Sequence, residues 1–233
     1  MEQIKTVFHE YGFDLTEEQL NKFKIYFTYL IEVNQVMNLT AIIDLEGVYI
    51  KHFLDSLKVA HCLDLKNKTL CDVGSGAGFP SIPLKILDDS IDVWIVDALN
   101  KRINFLRNLT EKLGIKVNLV HSRAEDFCKE KREKFDIVCA RAVARLNVLA
   151  ELCLPLVKKG GYFLAMKSDN YQAELKEAEK GIKILGGEIK NIFEYRLPYQ
   201  KVLEYRNVIS VHKSGTCSLK YPRDFVKIKK KPL

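Results

Sequence analysis

Asp72-Val73-Gly74-Ser75-Gly76-Ala77-Gly78 follows the short apolar run Thr69-Leu70-Cys71 directly. A glycine-rich turn leaving a strand in this way lets backbone pass close to a nucleotide-like ligand. The dinucleotide fingerprint requires its third glycine three residues after the second, where this chain has Phe79, and the glycine falls instead at Gly78. That spacing favours S-adenosylmethionine over a nicotinamide cofactor. A dinucleotide must lay its pyrophosphate on a helix N-terminus, whereas S-adenosylmethionine carries no phosphate and needs only close backbone beside its methionine portion. Asp72, Gly74, Gly76, Gly78 and Phe79 are therefore candidate cofactor-site residues.

Working outward, Ile91-Asp92-Val93-Trp94-Ile95-Val96 reads as a buried strand ending at Asp97. Asp97 lies about 20 residues beyond the glycines, where a βαβ nucleotide site places the carboxylate that accepts the ribose hydroxyls. Its competing reading is a helix N-cap for the segment beginning near Asn100. A third strand, Val117 to Val120, leads to Ala124 and Glu125, which are placed to meet an adenine edge. Ser122 and Glu125 also have capping-box spacing, so both readings of Glu125 stand.

Phe135 to Ala140 and Gly161 to Met166 supply a fourth and fifth strand, and Glu188 to Tyr195 with Tyr205 to His212 are expected to finish the sheet as an antiparallel pair. The alternation predicts an α/β, Rossmann-like fold with a mostly parallel twisted sheet, whose ligands sit outside the carboxyl ends of the strands. Gly74, Asp97, Ala124 and Arg141 all follow strand ends. Residues 1–64 read as a helical N-terminal cap, 65–212 as the core and 213–233 as a basic tail. In the cap, Thr16 to Gln19 has capping-box form, and Leu20, Phe23, Phe27, Leu30 and Ile31 form an apolar stripe. His52 and Asp55 are secondary pocket candidates, with a local His–Asp hydrogen bond as the alternative.

The chain has 233 residues, 47% of them hydrophobic, which suffices for a sound core. No run resembles a signal peptide or membrane span, and the six cysteines form no C-x-x-C pair. Reduced core thiols, no metal site, no membrane and a cytoplasmic location are the expectations. Of the net charge of +7, the segment from Lys213 onward holds +6, from Lys213, Lys220, Arg223, Lys227, Lys229, Lys230 and Lys231 against Asp224. Such a cluster points to a polyanion through counterion release, and Tyr221 is placed to stack on a base. A solvated tail or a contact with acidic lipid would have the same composition.

Taken together, Asn38-Leu39-Thr40, Lys51-His52-Phe53-Leu54-Asp55-Ser56-Leu57, the glycine turn through Pro80, Asp97 with Lys101-Arg102, Arg123-Ala124-Glu125, Ala140-Arg141-Ala142-Val143, Met166-Lys167 and the Tyr221-Pro222-Arg223 tail closely resemble the bacterial small-subunit rRNA guanine-N7 methyltransferase family RsmG, also called glucose-inhibited division protein B. The resemblance covers almost the whole chain. It implies a class I methyltransferase that uses S-adenosylmethionine on a guanine of 16S rRNA, guanine 527 in the decoding-region loop, with rRNA or the small subunit as partner and no stable protein partner. It also implies that Gly74, Phe79, Ala124, Glu125 and Arg141 line the cofactor site. Where members of the family commonly carry Gly and Pro after the Tyr-Pro-Arg, this chain has Asp224-Phe225-Val226-Lys227-Ile228.

Guanine N7 presents a lone pair and no proton, so this chemistry needs alignment and no general base. Arg141 is accordingly a positioning candidate, for the cofactor carboxylate or for guanine O6, with a surface ion pair as its plainer role. Arg123, Lys167, Lys220, Tyr221, Arg223, Lys229, Lys230 and Lys231 are the RNA-contact candidates. The rival readings are a pyrimidine-C5 methyltransferase using Cys139 as nucleophile, a nicotinamide enzyme, and a non-catalytic RNA-binding or ribosome-assembly protein that keeps the fold.

Overall fold

A computed structural model describes residues 2–141, 143–169 and 171–233. Ala142, part of the Ala-Arg-Ala-Val segment, lies outside the described residues. Seven strands form one sheet in the order β3-β2-β1-β4-β5-β7-β6: β1 (Thr69–Val73), β2 (Asp92–Asp97), β3 (Asn118–His121), β4 (Phe135–Arg141), β5 (Val157–Lys167), β6 (Gly187–Tyr199) and β7 (Val202–Lys213). The first five are parallel, and β7 runs antiparallel between β5 and β6. The expected antiparallel pair thus closes the sheet, with the last strand inserted inside the one before it. The parallel strands are near-continuous apolar runs because helices cover both faces.

On one face lie α1 (Glu2–Glu10), α2 (Glu17–Met37), α5 (Ser81–Leu87) and α6 (Asn100–Leu113), together with a composite helical segment. That segment comprises α3 (Leu45–Gly47), a π-helical stretch Val48–Leu54, α4 (Asp55–Leu57) and a 3₁₀ turn Lys58–His61. On the other face lie α7 (Ala124–Lys131), α8 (Leu146–Cys153), α9 (Tyr171–Ile184) and a short C-terminal α10 (Phe225–Lys230). The N-terminal helices share one apolar cluster with the sheet. The capping box at α2 is complete, Thr16 accepting from Gln19 N–H and Gln19 from Thr16 N–H. The buried stripe of α2 is Leu20, Phe23, Tyr26 and Leu30, with Phe27 and Ile31 at its margin. Tyr26 faces the sheet because its hydroxyl has a partner there, donating to Ala77 O at 2.5 Å.

Candidate functional site

The turn after β1 adopts left-handed backbone at each glycine, φ +76° at Gly74, +62° at Gly76 and +103° at Gly78, which a side chain would strain. The three serve different ends. A Cβ on Gly78 would lie 2.7 Å from Ile82, 2.9 Å from Leu106 and 2.9 Å from the Tyr26 hydroxyl, so Gly78 lets α2, α5 and α6 pack under the turn. A Cβ on Gly76 would meet nothing within 4 Å, because that position opens into a cavity of about 520 Å³. Gly74 and Gly76 line this cavity, and Gly78 and Asp72 do not. Asp72 lies fully buried beneath the turn, its Oδ2 accepting the Ser81 N–H at 3.2 Å, and burial pushes its carboxyl up to about 7. Both were expected at the cofactor; instead they build the platform on which it would rest.

Asp97 closes the next side. Its carboxylate is 3% exposed, Oδ1 accepting Leu99 N–H at 2.9 Å and Oδ2 facing Arg102 at 3.3 Å. The residue that caps α6 is Leu99, with no side-chain bond, so Asp97 is not the helix cap. The Ser122–Glu125 capping box does not form either: Arg123 occupies the cap, and Ser122 donates to the Arg123 carbonyl at 3.0 Å. Glu125 has no hydrogen-bond partner among the described residues and lines the cavity beside Ala124 and Arg123. Leu39, Thr40, Val143, Leu152 and Phe225 complete the wall; Leu39, Thr40 and Val143 belong to the motifs that carry the family resemblance, but none of the five was assigned to the site from sequence. Sequence spacing gives no signal for them, and Phe225 comes from the chain's far end.

The third wall is built around Phe79. The His52 ring stacks on it at 4.6 Å and the Arg141 guanidinium lies 4.7 Å from its centroid. Arg141 ends β4 and donates to Asp55 Oδ2 at 3.1 Å and to Lys51 O at 3.2 Å, with His52 Nδ1 at 3.3 Å from its other nitrogen. His52 Nδ1 also lies 3.2 Å from Lys51 O, and Nε2 is bonded to Thr40 Oγ1 at 2.7 Å. Burial, reinforced by Arg141, pushes the imidazole down to about 3, and it stays neutral. The expected local His52–Asp55 bond is absent among the described residues; the two meet through Arg141. The π-helical stretch carries Lys51 and His52 and leads directly into Asp55, so one short segment presents all three to the arginine.

Arg141 and His52 also border a second cavity of about 370 Å³. Lys51, Asp55, Met166, Lys167, Ser168, Glu174, Tyr195, Arg206 and Ile42 form the rest of it. Asp55 is spent on both oxygens, since the Tyr195 hydroxyl donates to Oδ1 at 2.8 Å. Lys167, expected at a phosphate, is only 10% exposed and held by Glu174 at 2.7 Å and Ala144 O at 2.7 Å. Lys51 pairs with Glu204 at 2.7 Å and lies over the Tyr199 ring.

The tail departs most from expectation. Lys213 is the end of β7 and fully buried, donating to Leu154 O and Leu185 O at 2.9 Å each. Arg223 is clamped to the fully buried Glu151 through Nε at 2.8 Å, Nη2 at 2.6 Å and its own N–H at 2.9 Å. Tyr221 is 7% exposed, its carbonyl taken by Arg132, so it is not free to stack on a base. Lys220, Lys227, Lys229, Lys230 and Lys231 remain exposed. Cys139, the nucleophile of the pyrimidine reading, is fully buried within β4, lines neither cavity, and has its thiol pushed well up by burial. That reading is overturned. All six cysteines are free and buried.

An open cradle at Gly76, a buried carboxylate at Asp97 and the Ser75 hydroxyl in the same wall, buried and without a partner among the described residues, fit a nucleoside cofactor of the volume range small molecules occupy. With five parallel strands and an inserted antiparallel β7, they define a Rossmann-like, S-adenosylmethionine-dependent methyltransferase. Solved structures similar in fold include TrmN from Thermus thermophilus, TM-score 0.53 at 18% identity over 69% of this chain and 47% of that one. Another is a precorrin-6y C5,15-methyltransferase from Geobacter metallireducens, TM-score 0.52 at 16% identity over 68% and 86%. Residues 19–203 match the family described as rRNA small subunit methyltransferase G, and the chain belongs to that family. It is 50% identical over 230 residues to ribosomal RNA small subunit methyltransferase G of Lactobacillus acidophilus, covering 96% of this chain and 95% of the relative. The protein of the same name from Listeria monocytogenes is 50% identical over 226 residues, covering 95% and 94%.

Proposed function

We propose that the protein transfers the methyl group of S-adenosylmethionine to N7 of a guanine in 16S rRNA, guanine 527 by family resemblance, in the cytoplasm, with the rRNA or small subunit as its partner. The observation that supports this reading is the Arg141–His52 wall shared by two cavities, which would leave a cofactor and an acceptor base on either side of one partition. In this reading Asp97 accepts the ribose hydroxyls, Ala124 and Glu125 meet the adenine, and Gly74, Gly76 and Ser75 pass beside the methionine portion. The cofactor, when bound, would supply an electrophilic sulfonium methyl for the N7 lone pair, a transfer that leaves the purine positively charged.

The chain's own residues have no proton to move. His52 is neutral and held on Nε2 by Thr40, and Asp55 is held on both oxygens. Their work is to fix Arg141, and with it the relative position of the two cavities, so that rate comes from alignment. The exposed tail lysines together with Arg123 at the rim meet phosphates.

The test is methyl transfer to small-subunit RNA or particles prepared from cells lacking the protein, followed by mapping of the modified atom. Label at guanine N7 is expected. Label on an exocyclic amine or a pyrimidine carbon would overturn the assignment, as would cofactor binding without transfer to any small-subunit substrate.

A further inference from the structure

The acceptor cavity contains two carboxylates, and they are in different states. Both oxygens of Asp55 are occupied, by Arg141 and by the Tyr195 hydroxyl. Glu174, in the first turn of α9, uses only Oε2, which accepts the Leu146 N–H at 2.7 Å and faces Lys167 Nζ at 2.7 Å. Its Oε1 engages no partner among the described residues, and the residue belongs to the cavity lining. This carboxylate, 23% exposed and fixed by two donors on one oxygen, keeps acceptor capacity on the other at the cavity lining.

Guanine has acceptors N7 and O6 on one edge and donors N1–H and N2–H₂ on the opposite side of the six-membered ring. The cavity offers both kinds of partner, a donor in the Arg141 guanidinium, which lines both cavities, and an acceptor in the Glu174 carboxylate, which lines this one alone. Building on the proposed N7 transfer, we infer that Glu174 is the specificity residue of the acceptor site, its free Oε1 accepting the N1–H and N2–H₂ hydrogens of guanine while Arg141 faces O6. Adenine, with an amine where guanine has O6 and a bare N1, would oppose donor to donor at Arg141 and lone pair to carboxylate at Glu174. The carboxylate also favours the positive charge that the base acquires as N7 is methylated, so it acts on turnover as well as on choice of base.

Glu174→Gln separates this role from a structural one. Leu146 N–H and Lys167 are both donors, so the amide oxygen stays with them and the NH₂ turns to the cavity, a donor against donors. The experiment compares kcat/KM of wild type and Glu174→Gln on small-subunit RNA carrying either guanosine or inosine at the acceptor position. Inosine keeps N7, O6 and N1–H and lacks only the 2-amino group. Wild type is expected to favour guanosine about tenfold or more, as sites built to bond a group reject its absence, and the variant to lose most of that preference. Because each ratio is taken on one preparation, partial misfolding lowers both rates and leaves the ratio intact, and calorimetric cofactor binding verifies that the variant is folded. A guanosine preference equal in both proteins, or absent from wild type, overturns the role of Glu174 while leaving N7 transfer standing. Absence of N7 methylation by wild type on guanosine overturns both.

Discussion

The two cavities share Arg141 and His52 but are assembled in opposite ways. The cofactor side is drawn mainly from turns that follow parallel strands, Gly74 to Ala77 with Phe79, Asp97 to Leu99 with Arg102, and Ser122 to Glu125, short runs whose backbone shapes the cavity. The second cavity draws on Lys51 and His52 of the π-helical stretch, Asp55, Arg141, Met166 to Ser168 at the end of β5, Tyr195 of β6, Arg206 of β7 and Glu174 of α9, and its shape rests on side chains neutralising one another. A pocket made of backbone turns is constrained at the positions whose backbone conformation or close packing admits no side chain. A pocket made of paired charges is constrained at every pair, because removing one partner strands the other.

Arg141→Ala is the severest way to break that contrast. The guanidinium is 15% and the Asp55 side chain 6% exposed, so the variant leaves a buried carboxylate supported by Tyr195 alone. A stability loss of about 3–5 kcal/mol is expected by chemical denaturation, with loss of turnover. Unchanged stability with turnover abolished would mean that Arg141 acts on the ligands alone and that the partition is held by other contacts.

On the cofactor side the expected losses are smaller and local. Asp97→Ala should weaken S-adenosylmethionine by about 1.5–3 kcal/mol in calorimetry, since hydrogen bonds to a charged acceptor disappear, while KM for RNA stays near wild type. Unaltered cofactor affinity would reduce Asp97 to closing the turn at Leu99. The glycines then divide the turn itself. Gly78→Ala drives a Cβ to 2.7 Å from Ile82 and should cost about 1–3 kcal/mol of stability. Gly76→Ala meets open space and should cost only about 1 kcal/mol from its left-handed backbone, with the larger effect on cofactor affinity. Equal thermal shifts for the two would deny the division between packing and cradle.

What the sequence made legible follows the same line. The glycine turn, Asp97 and the strand ends could be read because each is a local backbone pattern with a fixed distance to the next. Asp72 and Gly78 fall beneath the turn and off the cavity lining, because a motif gives spacing along the chain and not which side of the turn faces the cavity. Phe27 was expected in the core stripe where Tyr26 sits, since apolar periodicity cannot see that the Tyr26 hydroxyl has a carbonyl to bond. The tail shows the limit most plainly. Counting charges made Lys213 and Arg223 part of a basic surface, yet their partners, Leu154 O, Leu185 O and Glu151, are distant in sequence, and pairing across such distances leaves no trace in composition.

The tail therefore combines an anchor with a basic surface, and the gentlest perturbation separates them. Deleting residues 219–233 would strand the buried Glu151 and remove Phe225 from the cofactor cavity, so it should lower both the melting temperature and cofactor affinity, contrary to what a free tail would do. Changing Lys220, Lys227, Lys229, Lys230 and Lys231 to Gln leaves Arg223, Phe225 and the buried Ile228 in place. The melting temperature and cofactor affinity of this variant should match wild type, because these lysines are exposed and the ion pair of Lys227 with Asp224 is worth little at 71% and 75% exposure. RNA affinity measured at several salt concentrations should show a slope of log affinity against log salt shallower by about 0.7–0.9 for each phosphate that the variant no longer neutralises. An unchanged slope would shift the phosphate binding to Lys101, Arg102 and Arg123 at the cofactor rim, and the tail would then serve the pocket alone.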